Sequence, residues 1–129
     1  MEKHIAFTSE PIVVPPVALP SCEIGACAEF LGIVREMEND RALAGLHYEA
    51  YEPMAGRQLE RIFDDLQTVY PCAAVHFIHR LGWVPVGEAS LFVRVLAAHR
   101  GAALGLLGAS IDRMKADVPI WKAAEQRSR

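Results

Sequence analysis

The segment from His99 to Lys122 constrains the fold of this chain more than any other stretch. Its spacing of residues by three and four is typical of one helical face, formed by Arg100, Ala103, Leu104, Leu107, Ile111 and Met114. This pattern predicts an amphipathic helix over residues 100–115. Pro119 cannot continue a helix, so it marks the end of this one. The segment therefore predicts one long helix with basic residues near both of its ends.

Basic residues are concentrated in this part of the chain, although the formal net charge of the whole chain is −3. Residues 1–86 contain 6 Lys or Arg and 12 Asp or Glu, whereas residues 87–129 contain 7 and 4. A local excess of positive charge favours an anionic ligand. Solvated helix faces also carry Lys and Arg, so charge alone leaves both interpretations open. The overall acidity, and the lack of a basic stripe with interleaved aromatic residues, argue against nucleic-acid binding.

Alternating and apolar runs elsewhere predict five strands and one further helix. The predicted strands cover residues 3–8, 25–35, 43–51, 72–80 and 88–99. A helix is predicted from Pro53 to Val69, because apolar residues recur there with helical spacing. Residues 11–20 contain four prolines and predict an irregular apolar segment that packs on the domain or on a partner. Residues 37–41 are predicted to be a loop, residues 81–88 to be rich in turns, and the strands at 25–35 and 43–51 to pair.

The order of these elements predicts an α+β domain with a largely antiparallel sheet and packed helices. A chain of 129 residues is long enough for one domain with a substantial core. We therefore predict a single domain over residues 1–129. Within it, residues 1–24 form a variable proline-rich N-terminal segment and residues 123–129 form a short tail.

Cysteine, histidine and hydropathy patterns narrow the class of protein further. Cys22, Cys27 and Cys72 form no CxxC pair, and the five histidines form no HExxH motif. These patterns predict no bound metal and no disulfide framework. Apolar runs are too short to cross a bilayer, and the N-terminus does not read as a signal peptide. We therefore expect a cytoplasmic protein with no membrane partner.

The two ends of the predicted helix at 100–115 both offer groups that bind anions. His99 and Arg100 lie at a strand-to-helix transition, where free amides and the helix dipole favour an anion. Lys115 and Lys122 lie near the other end, about 22 Å away at the usual rise per residue. One small ligand would not reach both ends within one subunit. Either the two groups serve different sites, or a symmetric dimer brings them together, and we favour the dimer as a hypothesis.

Five blocks of sequence resemble, in order, the MoaE family of large, catalytic subunits of molybdopterin synthase. They are FLGIVR at 30–35, LHYEAYEPMA at 46–55, HRLGWVPVGE at 79–88, AHR at 98–100 and IDRMKADVPIWK at 111–122. The resemblance implies an α/β hammerhead fold. It also implies a homodimer that binds two copies of a small ubiquitin-like sulfur carrier of the MoaD type, which gives a heterotetramer.

The resemblance also implies an activity in molybdenum cofactor biosynthesis, namely that of a sulfurtransferase. Sulfur from the thiocarboxylate at the carrier's C-terminal Gly-Gly would pass to cyclic pyranopterin monophosphate and build the dithiolene of molybdopterin. No cofactor of the large subunit is implied. An alternative is a non-catalytic homodimeric module that binds a sulfur carrier or a phosphorylated pterin without turnover.

Residues matching the family's motifs define the expected site. Lys115 and Lys122 are the expected catalytic residues, with Lys115 as general acid/base or transient amine partner and Lys122 as positioning group. The expected substrate-binding set is Ile33, Val34, Arg35, His99, Arg100, Lys115, Lys122, Ala123 and Ala124. Phe30 and Ile111 are the expected apolar neighbours. Guanidinium and ammonium groups suit the anionic ends of both implied substrates.

Overall fold

Two sheets and two helices make up the part of the chain that the structure describes. This structure is a computed structural model that describes residues 1–38 and 40–127, with the backbone only for residues 124–127. The elements in chain order are β1 (Glu2–Thr8), β2 (Ala26–Ile33), β3 (Met37–Glu38), β4 (Arg41–Ala50), α1 (Glu52–Gln67), β5 (Ala74–Arg80), β6 (Gly82–Pro85), β7 (Ala89–Ala97), α2 (Arg100–Asp117) and β8 (Ile120–Arg127). The predicted α+β class is confirmed.

The first sheet has the strand order β1-β5-β7-β2. β1 runs parallel to β5, whereas β7 is antiparallel to both β5 and β2. In the second sheet, β4 is antiparallel to β3, β6 and β8. The prediction of largely antiparallel pairing is therefore confirmed. Every residue of β7 from Ser90 to Ala97 is buried. Such continuous burial is expected of a strand that is covered on both faces.

Helices α1 and α2 cover one face of the first sheet and form the main core with it. Pro53 lies in the first turn of α1, and the apolar face predicted for this helix is buried at Ala55, Leu59, Ile62, Phe63 and Leu66. In α2 the buried residues are Ala103, Leu106, Leu107, Ser110 and Met114. The predicted helix is therefore confirmed, but Leu104 is 61% exposed and does not belong to its buried face. No helix of the described residues is long and apolar enough to span a membrane.

The proline-rich segment lies against the opposite face of the first sheet. Arg94 of β7 is buried there and donates from Nη1 to the carbonyl oxygen of Pro16, at 3.4 Å. Arg94 also pairs with Glu29 of β2 at 3.2 Å, and its guanidinium lies 5.1 Å from the Phe92 ring centroid. A buried guanidinium needs such partners to offset its desolvation. Of the two predicted positions, on the domain or on a partner, this contact agrees with the first.

The second sheet is built around β4, which pairs with β3, β6 and β8. Four local predictions are wrong here. The turn-rich stretch contains β6, the expected tail continues β8 to Arg127, residues 37–38 form β3, and β2 pairs with β7 instead of β4. Three of these differences have one physical reason, because β3, β6 and β8 satisfy their backbone hydrogen bonds by pairing with β4. β2 satisfies its own by pairing with β7.

Candidate active site

A cleft of about 700 Å³ lies between the end of β2, the second sheet and the C-terminal end of α2. It is lined by Phe30, Leu31, Gly32, Ile33, Val34, Arg35, Glu38, Leu46, Tyr48, His79, Ser90, Leu91, Met114, Lys115, Ile120, Trp121 and Lys122. Three of these residues are cations, and they come from three separate parts of the chain, namely the connection after β2, the last turn of α2, and β8. The cleft therefore combines an apolar wall with converging positive charge.

Arg35 is placed in the cleft by the turn between β6 and β7. The Val34 amide donates to the Glu88 carbonyl at 3.0 Å, and the Gly87 amide donates to the Val34 carbonyl at 2.9 Å. Gly87 has φ of +87°, a conformation that favours glycine. Val34 is itself buried. These contacts fix the backbone immediately before Arg35 while leaving its side chain exposed.

Lys115 is exposed in the last turn of α2. The buried neighbour Met114 fixes that turn against the core. A cation is favoured at a helix C-terminus, because unpaired carbonyl groups give that end a partial negative charge. Beyond the helix, the Tyr51 amide donates to the Pro119 carbonyl at 3.1 Å. This hydrogen bond holds the short connection between α2 and β8.

Lys122 reaches the cleft from β8, where it lies opposite Tyr48 of β4. Its ammonium group forms an ion pair with Glu38. The pairing register shifts at this point, because Tyr48 is opposite Lys122 whereas the preceding residue of β4 is opposite Ala124. Ala123 is thus the extra residue of a bulge, a device that re-aims neighbouring side chains.

His79 lies at the end of β5 and is only 4% exposed. Its Nδ1 is 2.8 Å from the carbonyl oxygen of Arg80, and its ring centroid is 5.2 Å from that of Tyr48 in an edge-to-face arrangement. Burial lowers the pKa of His79 below its usual 6.5, and the bond to Arg80 offsets part of this effect. His79 is therefore uncharged at neutral pH.

The lowered pKa of His79 predicts a pH dependence of stability. The unfolded chain takes up a proton near pH 6.5, whereas the folded chain does so only at lower pH, so stability falls as pH drops below about 6.5. We expect the free energy of unfolding to decrease less between about pH 7 and about pH 5 in His79→Gln than in the wild type. Urea titrations at several pH values measure this difference. Parallel curves for the two proteins would contradict the prediction.

The structure brings together six of the residues predicted from sequence and leaves others apart. Phe30, Ile33, Val34, Arg35, Lys115 and Lys122 line the cleft. Ile111 and Ala123 do not line it, and the side chain of Ala124 lies outside the described part of the chain. His99 and Arg100 are exposed at the opposite end of α2, the 18-residue helix that separates them from Lys115. Within one chain, α2 therefore separates His99 and Arg100 from the lysines of the predicted site, as the length of this helix requires.

Several residues that line the cleft were not predicted from the sequence, because the fold brings them there from distant parts of the chain. Tyr48 and Ser90 reach the cleft through non-local strand pairing, and Glu38 meets Lys122 there in an ion pair, so none of the three carries a local signal. His79 begins the HRLGWVPVGE block, but it is absent from the predicted site, although it is both buried and part of the cleft lining. Among the described residues, no group of three or more His, Cys, Asp or Glu side chains is placed to hold a metal ion.

Comparisons with known proteins agree on one family. The family model described as MoaE protein matches residues 7–117. The "Molybdopterin synthase catalytic subunit" of Bos taurus is 41% identical over 122 residues, which are 92% of this chain and 64% of the bovine protein. The chain thus spans slightly under two thirds of the length of that relative.

Solved structures give the same result at the level of the fold. Molybdopterin synthase from Staphylococcus aureus superposes with a TM-score of 0.79 and 26% identity, covering 95% of each chain. A complex of subunits 1 and 2 of molybdopterin-converting factor from Helicobacter pylori contains a chain that matches with a TM-score of 0.67 and 26% identity. This match covers 83% of the present chain and 73% of the Helicobacter chain.

Proposed function

The chain belongs to the MoaE family, and we propose that it acts as the catalytic subunit of a molybdopterin synthase. In this proposal it is a sulfurtransferase of molybdenum cofactor biosynthesis. Sulfur passes from the C-terminal thiocarboxylate of a small carrier to cyclic pyranopterin monophosphate. Each transfer leaves the carrier with an ordinary carboxylate, and two transfers supply both sulfur atoms of the dithiolene.

The observation that carries this proposal is the convergence of Arg35, Lys115 and Lys122 on one cleft. Both proposed substrates are anionic, one through its cyclic phosphate and the other through its thiocarboxylate. Guanidinium and ammonium groups bind such oxygens and stabilise charge that develops during reaction. Lys115, which has no ion-pair partner among the described residues, is the proposed proton carrier or transient amine. Lys122, held by Glu38, is the proposed positioning group.

The mouth of the cleft suits an extended peptide tail. Leu31, Ile33 and Trp121 line the cleft and are 46%, 47% and 46% exposed. Exposed apolar side chains next to a charged pocket are typical of a surface that a partner covers. We infer that the tail of a small ubiquitin-like carrier ending in Gly-Gly enters here. The description of the Helicobacter relative as a complex of two subunits supports a small-subunit partner.

We also propose a homodimer within a heterotetramer, located in the cytoplasm. Cys22 and Cys27 are exposed free thiols, which suit a reducing compartment. The dimer would let His99 and Arg100 of one protomer complete the cleft formed by Lys115 and Lys122 of its partner. This arrangement resolves the separation of about 22 Å along α2.

Subunit mixing tests whether the site is shared. A His99→Ala chain and a Lys115→Ala chain are each expected to have little activity. After denaturation and refolding of an equal mixture, half of the dimers are hybrids, and each hybrid contains one intact site. We therefore expect about a quarter of the wild-type activity. If each site lies within one chain, every site carries a defect, and the mixture stays as inactive as its components.

A reconstituted assay tests the proposed activity itself. The purified chain is supplied with thiocarboxylated carrier and the cyclic pterin, and dithiolene product is measured. Carrier with an ordinary carboxyl terminus is the control and should give no product. Tight binding of carrier and pterin without product would instead support the alternative, a non-catalytic homodimeric module.

A further inference from the structure

His79 lies in the cleft but has no part in the function proposed above. Its ring is on the helix-covered face of β5, with its centroid 6.4 Å from that of Phe77 and 5.2 Å from that of Tyr48. Tyr48 is in turn the cross-strand neighbour of Lys122. The imidazole therefore packs on the residue that lies opposite Lys122, the proposed positioning group.

The hydrogen bond made by Nδ1 determines which tautomer is present. A carbonyl oxygen can only accept, so Nδ1 must donate its proton to the carbonyl of Arg80 at 2.8 Å. The backbone of Arg80 is held by the pairing of β5 with β1, in which Arg80 lies opposite Thr8. Nε2 consequently carries a lone pair, and no described residue donates a hydrogen bond to it.

This lone pair differs from most polar side-chain groups in the cleft, although the Tyr48 hydroxyl, which can rotate, is also able to accept a hydrogen bond. Arg35, Lys115 and Lys122 can only donate hydrogen bonds. The carboxylate of Glu38 is engaged by Lys122, and the Ser90 hydroxyl donates to the carbonyl of Gly32 at 3.3 Å. A bound molecule with an N–H group needs an acceptor, since a buried donor left without one is costly. His79 supplies an acceptor that is already oriented.

We propose that Nε2 of His79 accepts a hydrogen bond from an N–H group of a bound substrate and thereby positions that substrate beside the lysines. The donor is either an amide of the carrier's Gly-Gly tail or a ring N–H of the pterin. The inference rests on the proposed function and deepens it by assigning a positioning residue. It requires an uncharged imidazole at neutral pH, which burial of the ring favours.

Two amide substitutions separate this role from a structural one. His79→Asn places an amide N–H where Nδ1 lies, so it can retain the bond to Arg80 while removing the acceptor at Nε2. His79→Gln places a carbonyl oxygen near the position of Nε2 and loses the bond to Arg80. We expect kcat/KM to fall by about tenfold in His79→Asn and by about threefold or less in His79→Gln.

Separate titrations of the two substrates identify the donor. A rise in KM for the carrier in His79→Asn assigns the donor to the Gly-Gly tail, whereas a rise in KM for the pterin assigns it to the pterin ring. Activity is expressed per folded protein, with the folded fraction of each variant taken from urea unfolding. The comparison between the two variants therefore remains informative even if both are less stable than the wild type.

Three results would overturn the inference. If His79→Asn is more active than His79→Gln, the residue acts through its bond to Arg80 and has a structural role. If both variants match the wild type, Nε2 accepts nothing that matters for turnover. If both lose activity to the same extent, the acceptor at Nε2 is not the group on which turnover depends. Failure of the proposed function is a separate result, because the wild-type protein itself would then form no product.

Discussion

Replacing Lys115 by alanine is expected to reduce product formation by a factor of about 10² to 10³, a typical effect of removing a group that transfers a proton or stabilises developing charge. The side chain is exposed at the end of α2, so its loss should change the free energy of unfolding little. Single-turnover kinetics with saturating thiocarboxylated carrier measure the effect on the chemical step. Lys115→Arg restores the charge without an easily deprotonated amine, and it should recover binding more than turnover.

Arg113 provides a matched control on the same helix. It is 38% exposed in its side chain, pairs with Asp65 and Asp117, and does not line the cleft. Arg113→Ala should therefore keep nearly full turnover. Lys122→Ala should show a smaller loss than Lys115→Ala, with a higher KM, because Lys122 is the proposed positioning group. Full turnover by both lysine variants would show that the assignment of the site is wrong.

Replacing Phe63 by alanine is expected to destabilise the chain by about 3–5 kcal/mol, the usual cost of removing a fully buried aromatic side chain. Phe63 is 0% exposed and packs edge-to-face on Phe77 of β5, with ring centroids 6.3 Å apart. The contact joins α1 to the first sheet. A loss of this size is a large fraction of the stability of an ordinary domain.

Met54 on the same helix provides the control for this second prediction. Its side chain is 39% exposed, so Met54→Ala should change the unfolding free energy by about 1 kcal/mol or less. Urea denaturation followed by circular dichroism measures both variants. A loss below about 1 kcal/mol in Phe63→Ala would mean that α1 does not form the core described above.

Local periodicity was sufficient to predict the helices. Leu59, Ile62 and Phe63 lie at helical spacing within one segment. A helix forms through contacts between residues that are close in sequence, so this spacing is enough to predict it. The strand pairings were harder, because a pairing depends on two segments that need not be adjacent. The strands predicted at 25–35 and 43–51 follow each other in the chain, which favours pairing, yet β2 pairs with β7. β6 was not predicted either, because it has only four residues, begins at Gly82 and ends at Pro85, a composition that is typical of a turn.

The sequence likewise predicted only some of the residues of the site. Arg35, Lys115 and Lys122 come from sequence blocks that identify the family, and all three line the cleft. Their partners follow from the fold instead. Glu38 meets Lys122 although 84 positions separate them, and Tyr48 meets His79 across the two sheets. Residue types alone carry no information on such contacts, whereas a three-dimensional topology does.

The pairing of β8 with β4 has a consequence for the order in which this molecule assembles. It joins Lys122 to Tyr48 across about seventy intervening residues, and closing so long a loop costs chain entropy before any contact compensates for it. The helices need only local contacts and can form early. We expect the two helices and the local pair of β5 and β7 to form first, and the distant pairings, that of β8 with β4 among them, to form later. Because the cleft needs β8 in place, it would then be among the last features of the molecule to form.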